Sequence, residues 1–438
     1  MRKPPPIPEP ESTARKTVWS REARVVLITR LFGGGARTRE VDKISWLRPS
    51  AAKSALRSWW RAAHAHEFPS LEGLRKREEE LFGASGTFDS KGLTGGPGAL
   101  EVTVESKMAL PPVEYQDSQG SLINYALFPA QRTNKQDPAK IALPSEQTWA
   151  SIQLTSRSEN PKIQALLLEA LRLWLTMGGV GSRTRRGVGA VALSNPDEAK
   201  KLGIPASLEE LETFLRKHCK TRPVPAPLAG VCCLARTRSV FLGPPQNSGE
   251  RAQLRLLDVL RKVRQERYPS KTGKYGLSKW PEADAIRLKS DPKKKWKHLR
   301  AAANAGQYPR AALGLPIVMH FKDDWPIEPK EHQILAARPD PKEKWKKLER
   351  FSSPLLLRPV RIWEGKQTLY VPVALFMDCA LPADARPLVT IDPKAPAASV
   401  DVVQSYDISQ HADETLRRIE LAFAKEPGFR LLEGADIP

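Results

Sequence analysis

The order of predicted helices and strands over residues 24–193 constrains the fold of this chain more than any other feature. β-branched or alternating apolar runs predict strands, and apolar residues at helical spacing, opened by proline and closed by glycine, predict helices. The predicted elements are a strand at 24–29, a helix at 49–66, strands at 100–106 and 149–154, a helix at 160–178 and a strand at 187–193. This βαββαβ order is that of a ferredoxin-like unit, so we expect an α+β fold.

The second half of the chain has a less regular pattern, and a second ferredoxin-like unit with insertions accommodates most of it. Strands are predicted at 229–242, 314–321, 354–363 and 368–377, and helices at 250–267 and 411–425. The proline-rich segment 221–227 is the best linker candidate. The expected domains are a flexible proline-rich tail at 1–20, a ferredoxin-like domain at 21–220, a linker at 221–230 and a second ferredoxin-like domain at 231–438.

Two short segments of the second half resemble each other. Residues 291–299 and 340–348 agree at seven of nine positions, and each begins with Asp-Pro-Lys. Asp as an N-cap and Pro in the first turn predict a short basic surface helix at each place. A period seen once does not indicate a solenoid, and we interpret the two segments as similar surface turns.

The excess of basic residues indicates a polyanionic partner. Seventy Lys and Arg residues against 49 Asp and Glu give a formal net charge of +21. Nucleic acid and an anionic membrane surface both fit this charge. The sequence has neither an apolar run of about 18 residues nor a signal-peptide core. We therefore expect nucleic acid as the partner, no membrane partner and a cytoplasmic protein.

The residues that commonly bind metals show no metal-binding spacing. The four cysteines form no Cys-x-x-Cys pair; they are Cys219, Cys232, Cys233 and Cys379. The seven histidines are scattered, and Asp323 and Asp324 form an adjacent pair without further ligands. We expect reduced thiols, no metal and no cofactor.

The segment 178–189 combines five glycines with three arginines. Glycine allows positive φ and a close approach of the backbone to a ligand, and the arginine fork matches phosphate oxygens. A helix precedes the glycines, a strand follows them and the loop has no lysine, so neither a Walker loop nor a dinucleotide fingerprint fits. The loop is predicted to hold a polyanion through Gly181, Arg183, Arg185, Arg186 and Gly187. The alternative is a solvated, mobile loop.

The first helix provides a second basic surface. Lys53, Arg57 and Arg61 recur every four residues and fall on one stripe, where a bound anion would relieve their repulsion. The residues expected to face the core are Ala52, Leu56, Trp59 and Ala63. Trp60 lies at the border, where it either stacks on a base or packs in the core. Arg37 and Arg48, just upstream, extend the predicted RNA-binding surface.

Several short blocks carry a resemblance to a known family. They are Leu-Phe-Gly-Gly-Gly at 31–35, Leu-Arg-Pro-Ser at 47–50, Leu-Arg-Ser-Trp-Trp-Arg at 56–61, Leu-Phe-Gly at 81–83, the loop 178–189, and the stretches 310–317 and 351–359. Together they resemble the RAMP superfamily of CRISPR proteins, and within it the two-domain RAMP subunit of the type III-B (Cmr) effector complex. Arg57 and Arg61 match the basic positions of that family's first helix, and the loop matches its glycine-rich loop.

The resemblance implies a function and partners. It implies two ferredoxin-like domains in a non-catalytic RNA-binding subunit of an antiviral ribonucleoprotein. The partners implied are the CRISPR guide RNA, contacted near its 3′ end, the target single-stranded RNA paired with it, and the other subunits of the complex. Base pairing between the two RNAs would supply the specificity.

Two alternatives stay open at this point. RAMP relatives include metal-independent endoribonucleases that process guide RNA, and His64 or His66 at the end of the first helix would be the general acid–base residue in that case. A structural subunit whose basic surfaces meet acidic protein neighbours is the other alternative. The Gly-Gly-Asp-Asp motif of the polymerase-like effector subunit is absent from the sequence.

Overall fold

The structure is a computed structural model of the 438-residue chain. It describes residues 18–37, 39–89, 92–116, 121–132, 137–219, 228, 231–269, 276–291, 293–301, 304, 306–315, 317–319, 321, 328–329, 332–341, 344–348, 351–378, 386–390 and 408–432. Residues 1–17 of the predicted tail, the linker segment 221–227, Asp323, Asp324 and Cys379 lie outside this description.

The described residues form helices and strands in an α+β arrangement, as predicted. The helices are α1 (Pro49–His64), α2 (Leu71–Phe82), α3 (Leu122–Ala126), α4 (Pro161–Met177), α5 (Pro196–Leu202), α6 (Leu208–His218), α7 (Gly249–Arg264), α8 (Glu282–Ser290) and α9 (Ile408–Lys425). The strands of the first half are β1 (Trp19–Leu27), β2 (Leu31–Phe32), β3 (Ala84–Asp89), β4 (Gly92–Gly96), β5 (Leu100–Lys107), β6 (Val113–Glu114), β7 (Lys140–Ala142), β8 (Ser145–Ser156) and β9 (Val191–Leu193). Those of the second half are β10 (Cys233–Leu242), β11 (Ile317–Met319), β12 (His332–Asp340), β13 (Lys344–Leu348), β14 (Leu355–Glu364), β15 (Gln367–Asp378), β16 (Arg386–Thr390) and β17 (Arg430–Leu431).

The first half is organised by an antiparallel sheet with the strand order β5-β8-β1-β9. Alternate residues of β1, such as Val25 and Leu27, enter one apolar core with Leu56 of α1 and Leu171 of α4. The period of two along the strand thus fixes which face the helices cover. The sheet holds α1 and α4 side by side on that face.

The second half repeats this arrangement with the strand order β14-β15-β10-β17. Phe241 of β10, Phe376 of β15 and Phe423 of α9 meet in one core, with ring centroids 5.8–5.9 Å apart. Aromatic groups at this separation and tilt bury a large apolar area. Helix α7 covers the same core through Leu256 and Leu260.

Helix α4 joins the two halves because it packs on both sides. Leu171 and Trp174 belong to the core of the first sheet, whereas Leu173 and Met177 pack with the opposite face of the second sheet and with α6. Arg358 of β14, itself buried, donates hydrogen bonds to the carbonyls at the end of α4 and to that of Val191. The halves therefore form a continuous sheet–helix–sheet–helix stack.

Most predicted elements occur within a few residues of their expected bounds, with two exceptions. The last strand of the first half is limited to Val191–Leu193, because Gly187 and Gly189 adopt φ of 71° and 65° and keep the preceding segment in turns.

Neither Asp-Pro-Lys segment forms the predicted short helix, and the interpretation as a surface turn fits only the first of the two. After Asp291 the chain forms a turn, in which the Asp291 carboxylate accepts a hydrogen bond from the backbone N–H of Lys293 at 3.0 Å. Asp340 instead ends β12 and pairs with Lys344 across an antiparallel hairpin. Similar sequences adopt different structures here because Trp296 is buried by its neighbours while the second copy is recruited into a sheet.

Candidate nucleic-acid interface

A groove of about 580 Å³ runs between α1, the glycine-rich loop and the start of β14. It therefore has walls from both halves of the chain. The lining residues are Gly34, Arg48, Ala51, Ser54, Ala55, Ser58, Trp59, Arg61, Ala62, Gly178, Gly179, Val180, Gly181, Ser182, Thr184, Arg185, Val231, Cys232, Ser352, Leu356 and Met377. None of these residues carries a carboxylate, and three carry a guanidinium.

Helix α1 presents small side chains to the groove. Ala51, Ser54, Ser58 and Ala62 recur every three or four residues, so they share one face of the helix. Small side chains let a ligand approach the helix closely. Leu56, on another face, is fully buried in the first core.

The two adjacent tryptophans of α1 have different environments, and Trp60 adopts the core-packing alternative. Trp60, proposed as a base-stacking residue, is 1% exposed and packs against Phe68 and Phe82 with centroids 6.1 Å away. Its ring has no face available to a base, so the stacking role is wrong for Trp60. Trp59, expected in the core, is only partly buried and lines the groove.

Arg48 places a guanidinium at one end of the groove, within electrostatic reach of the Asp42 carboxylate. It is the N-cap residue of α1, a helix without a side-chain cap and without an acidic residue in its first turn. Its guanidinium makes no hydrogen bond or ion pair with the part of the chain that the structure describes, and its Nε is buried. The positive end of the helix dipole lies beside it. Both features favour an anion at this end of the groove.

Two glycine segments bring backbone to the wall of the groove. Gly34 and Gly181 have φ of 94° and 78°, and a Cβ on Gly181 would lie 2.6 Å from the carbonyl oxygen of Phe32. The N–H of Ser182 donates to that same carbonyl at 2.7 Å. The close contact explains why glycine is needed where the two segments meet.

Arg185 and Arg186 bind the second half of the chain. Arg185 donates to the carbonyl of Ser353 at 2.7 Å, and Arg186 donates to the carbonyl of Leu355 at 3.1 Å and to the hydroxyl of Ser353 at 3.3 Å. The backbone of Arg186 also forms a parallel bridge to Leu357 of β14. Burial lowers the pKa of Arg185 to about 10 and that of Arg186 to about 9, so both stay charged at pH 7.

The arginines predicted to bind phosphate instead contact groups of the protein. The segment is therefore also not the solvated, mobile loop of the alternative interpretation. Arg186 is buried and Arg185 reaches the groove only along its partly exposed side chain. Gly187 faces Leu357 and Gln253 rather than the groove, and Gln253 donates to the Arg186 carbonyl at 2.9 Å. Arg183, exposed with φ of 64°, donates from Nε to the carbonyl of Ala126 at 3.1 Å. The loop is thus a connection between the two halves.

The basic stripe of α1 meets a protein anion. Arg61 forms two hydrogen bonds to the buried carboxylate of Glu78 in α2, at 2.6 and 2.7 Å, and Arg57 lies 3.2 Å from it. Glu78 therefore relieves the repulsion between Arg57 and Arg61, which is the effect predicted for a bound anion. Lys53 lines a separate cleft beside β5, and Arg37 is exposed outside the groove lining.

The two candidate catalytic histidines are held in the protein. His64 lies 2.9 Å from Glu67 through Nδ1 and 3.1 Å from Glu169 through Nε2, and its side chain is 11% exposed. Burial lowers the His64 pKa, but the two carboxylates outweigh it and the net shift is upward. Glu169 also faces His218 at 3.5 Å. His66 is partly buried and lies outside the groove lining.

Sequence reasoning missed several groove residues. The sequence spacing could have predicted three of them, because they share a helix with Arg48 or a loop with Gly181: Trp59, Ser58 and Ser182. Ser352 and Leu356 come from the second half, and no sequence pattern places them opposite α1.

Three further features of the described part of the chain concern metal sites, membrane-spanning helices and thiols. No group of three His, Cys, Asp or Glu residues there could hold a metal ion. None of its helices combines the length and apolar character needed to cross a membrane. Cys219 and Cys233 are free and buried, whereas Cys232 is disulfide-bonded, so the expectation of reduced thiols is wrong for Cys232.

Comparison with known proteins gives similarities to one family model and to solved structures. No curated protein sequence matches the chain. The crystal structure of apo Cmr1 from Pyrococcus furiosus is similar to it at 17% identity and a TM-score of 0.48, covering 95% of this chain and 100% of that one. A chain in the cryo-EM structure of the type III-B Cmr-beta complex bound to cognate target RNA is similar at 10% identity and a TM-score of 0.36, covering 93% and 100%.

The family model of the RAMP superfamily matches residues 24–192. This range contains β1, α1, α4 and the glycine-rich loop, and so most of the groove. Residues 24–192 of this chain are therefore similar to the RAMP superfamily.

Proposed function

We propose that the groove binds single-stranded RNA and that the chain is a non-catalytic subunit of a type III-B CRISPR-Cas (Cmr) effector, acting in the cytoplasm in antiviral defence. The observation that carries the proposal is the guanidinium of Arg48 at the uncapped start of α1, which forms no hydrogen bond with the described residues and lies in a groove whose lining has no carboxylate. A phosphate there would satisfy both the guanidinium and the helix N-terminus.

The rest of the groove suits a chain-like ligand. Its walls are glycine backbone and small side chains, which admit a sugar–phosphate backbone, and Trp59 offers part of its ring to a base. The contacts would be mainly to phosphates, which fix position without reading sequence. We propose the guide RNA near its 3′ end and the paired target RNA as ligands, and a type III-B complex as the assembly. This choice rests on the sequence blocks that resemble the RAMP subunit of that complex.

We also propose that the chain contains two ferredoxin-like domains in tandem, at 21–220 and 231–438. In each half the four main strands, numbered in chain order, lie in the order second, third, first, fourth. Each half also has a helix after the first strand and another after the third, packed in the core of its sheet. This supports the βαββαβ arrangement in both halves.

The environment of His64 supports a non-catalytic role over the endoribonuclease alternative. A general acid–base residue needs a ring nitrogen that can reach the substrate, and both nitrogens of His64 face carboxylates of the protein. We expect no cleavage of repeat RNA by the purified chain in EDTA. Specific cleavage that disappears in His64→Ala or His66→Ala would instead support the alternative.

The proposed RNA site is tested by Arg48→Gln. We expect weaker binding to labelled single-stranded RNA and a salt dependence flattened by about 0.7, the value for one phosphate contact on a single strand. The matched control is Arg251→Gln, which removes an exposed guanidinium from α7, outside the groove. If Arg48→Gln and Arg251→Gln both bind like the unmodified protein, the groove is not the RNA site.

A further inference from the structure

A second basic surface lies in the second half of the chain, outside the groove. It consists of the lysine turn, which is Lys293, Lys295 and Lys297, and of the tyrosine platform, which is Tyr268 with Lys279 and Arg300. These residues do not line the groove and lie outside the range that matches the family model.

The lysine turn presents charges that the protein does not neutralise. All three side chains are exposed and form no ion pair within the described part of the chain. The turn is nevertheless fixed, because Trp296 between them is 5% exposed and its ring N–H donates to the Asp291 carbonyl at 3.1 Å. Three exposed ammonium groups thus come from five consecutive residues of a fixed turn, and an external polyanion would relieve their mutual repulsion.

The tyrosine platform combines an exposed ring with two cations. Tyr268 is 44% exposed, and its ring centroid lies 5.1 Å from the guanidinium carbon of Arg300 and 5.8 Å from the Lys279 amine. Arg300 is held in place by a hydrogen bond to the Ser278 carbonyl at 2.7 Å. Lys279 pairs with Glu266 and Arg300 lies 3.7 Å from the Asp284 carboxylate, so the free positive charge of the surface comes from the lysine turn. The exposed part of the Tyr268 ring suits stacking with a base whose phosphate is bound by those lysines.

The lysine turn and the tyrosine platform are parts of one surface. Lys297 and Arg300 are three residues apart, a distance that the backbone spans in at most about 11 Å. A buried ion pair stabilises the segment between them: Arg287 binds Glu328 at 2.8 Å and donates to the His298 carbonyl at 3.0 Å. Buried, hydrogen-bonded charges of this kind hold the backbone in one arrangement.

We propose that this surface is a second binding site for single-stranded nucleic acid. The three lysines contact consecutive phosphates, and Tyr268 stacks on a base beside Arg300. An acidic protein would satisfy the lysines but offers no base for the exposed part of the Tyr268 ring, whereas a single-stranded nucleic acid offers both phosphates and bases. The site goes beyond the proposed function of the groove and does not depend on it.

The test compares two variants for binding to labelled single-stranded RNA over a range of salt concentrations. Lys293→Gln/Lys295→Gln/Lys297→Gln should flatten the salt dependence by about 2, from about 0.7 for each phosphate contact. Tyr268→Ala should weaken binding by about 5- to 150-fold, the effect of losing one base stack, with little change in salt dependence. Tyr268→Phe keeps the ring and should bind like the unmodified protein.

The control removes three lysines from exposed positions elsewhere, in Lys162→Gln/Lys200→Gln/Lys201→Gln. If the lysine-turn variant loses no more affinity or salt dependence than this control, or if it loses binding to an acidic protein subunit but not to RNA, the proposal is overturned. Arg48→Gln is measured in parallel. Normal binding by Arg48→Gln with impaired binding by the lysine-turn variant would refute the groove and leave the second site standing.

Discussion

Arg185 and Arg186 show that a side chain suited to phosphate can serve the protein itself. The guanidinium fork that matches a phosphate also matches two carbonyl oxygens, and here those belong to Ser353 and Leu355. Burial of each charge is costly and is offset by these hydrogen bonds. Substitutions at the two arginines would therefore disturb the contact between the halves, so Arg48 is the cleaner test of RNA binding.

His64 gives a pH dependence whose sign follows from its partners. Its pKa is raised above the ordinary value of about 6.5, because the hydrogen bonds to Glu169 and Glu67 outweigh the desolvation that lowers it. Its contribution to stability is then fully present below about pH 6.5 and is lost as the pH rises through the pKa of the folded state. We expect the free energy of unfolding of His64→Gln to fall below that of the unmodified protein at pH 6, with a smaller difference at higher pH.

Urea unfolding of both proteins at a series of pH values measures this difference. Glu169 has a lowered pKa, so its own contribution is present above about pH 4.5 and is lost in more acidic solution. The series should therefore begin at pH 6, where the carboxylates stay ionised. A difference that is constant or grows between pH 6 and pH 9 would contradict the charged His64 bridge.

At the scale of elements, α1 shows what periodicity can and cannot predict. Its start at Pro49 and its end near His64 were predicted closely, because proline and the apolar spacing act locally. The choice between Trp59 and Trp60 was wrong, because α1 packs on the first core through Leu56 and Trp60 and on the second half through Ala62 and Ala63. Because α1 packs on two sides, its apolar residues cover a wide part of the helix surface. The sequence pattern alone does not show which edge of this apolar surface remains exposed.

The blocks of the family resemblance show a related limit. The loop 178–189 and the stretch 351–359 were recognised separately, and the structure brings them together through the bridge between Arg186 and Leu357. These residues are far apart in the chain, so their contact depends on the docking of the two halves. Local patterns predicted the helices and strands, whereas the groove and the burial of Arg186 depend on that docking.

Ser58→Glu tests the groove-facing side of α1. Ser58 is exposed and its hydroxyl bonds only to the Ser54 carbonyl within the same helix, so the fold should tolerate the change. A carboxylate placed beside a phosphate costs about 1 kcal/mol at 4 Å in water, so we expect RNA affinity to fall about fivefold. Fluorescence anisotropy with labelled RNA measures the loss.

Thr213→Glu is the matched control for this change. Thr213 is exposed on α6 and lies outside the groove lining. Glutamate is a better helix former than threonine, so stability should not fall. An equal loss of RNA affinity in both variants would mean that the total charge of the protein, rather than the groove, governs binding.

At the scale of the whole molecule, the groove exists because the halves are docked. Its walls come from α1 and the glycine-rich loop on one side and from Ser352 and Leu356 on the other. Helix α4 contributes to the core of both sheets, so the halves share apolar area as well as polar contacts. A ligand that touches both walls binds the docked state preferentially and should stabilise it.

Arg358→Ala tests this docking. The buried guanidinium donates to the carbonyls of Leu175 and Thr176 at 3.2 Å and to that of Val191, and burial lowers its pKa to about 9. Its loss leaves buried carbonyls without a donor, and we expect the free energy of unfolding to fall by about 3 kcal/mol in urea titrations. RNA affinity should fall with it, because the walls of the groove lose their fixed separation.

Arg361→Ala is the control that distinguishes a lost contact between the two halves from the general effect of removing an arginine. Arg361 also joins the halves, but its carboxylate partner Glu146 has a side chain that is 58% exposed, so water weakens that ion pair. Arg358→Ala should therefore lose clearly more stability than Arg361→Ala, and saturating RNA should restore part of the loss only where Arg48 is intact. Equal losses in the two variants would show that the polar contact at Arg358 does not hold the halves together, and that the shared apolar face of α4 does.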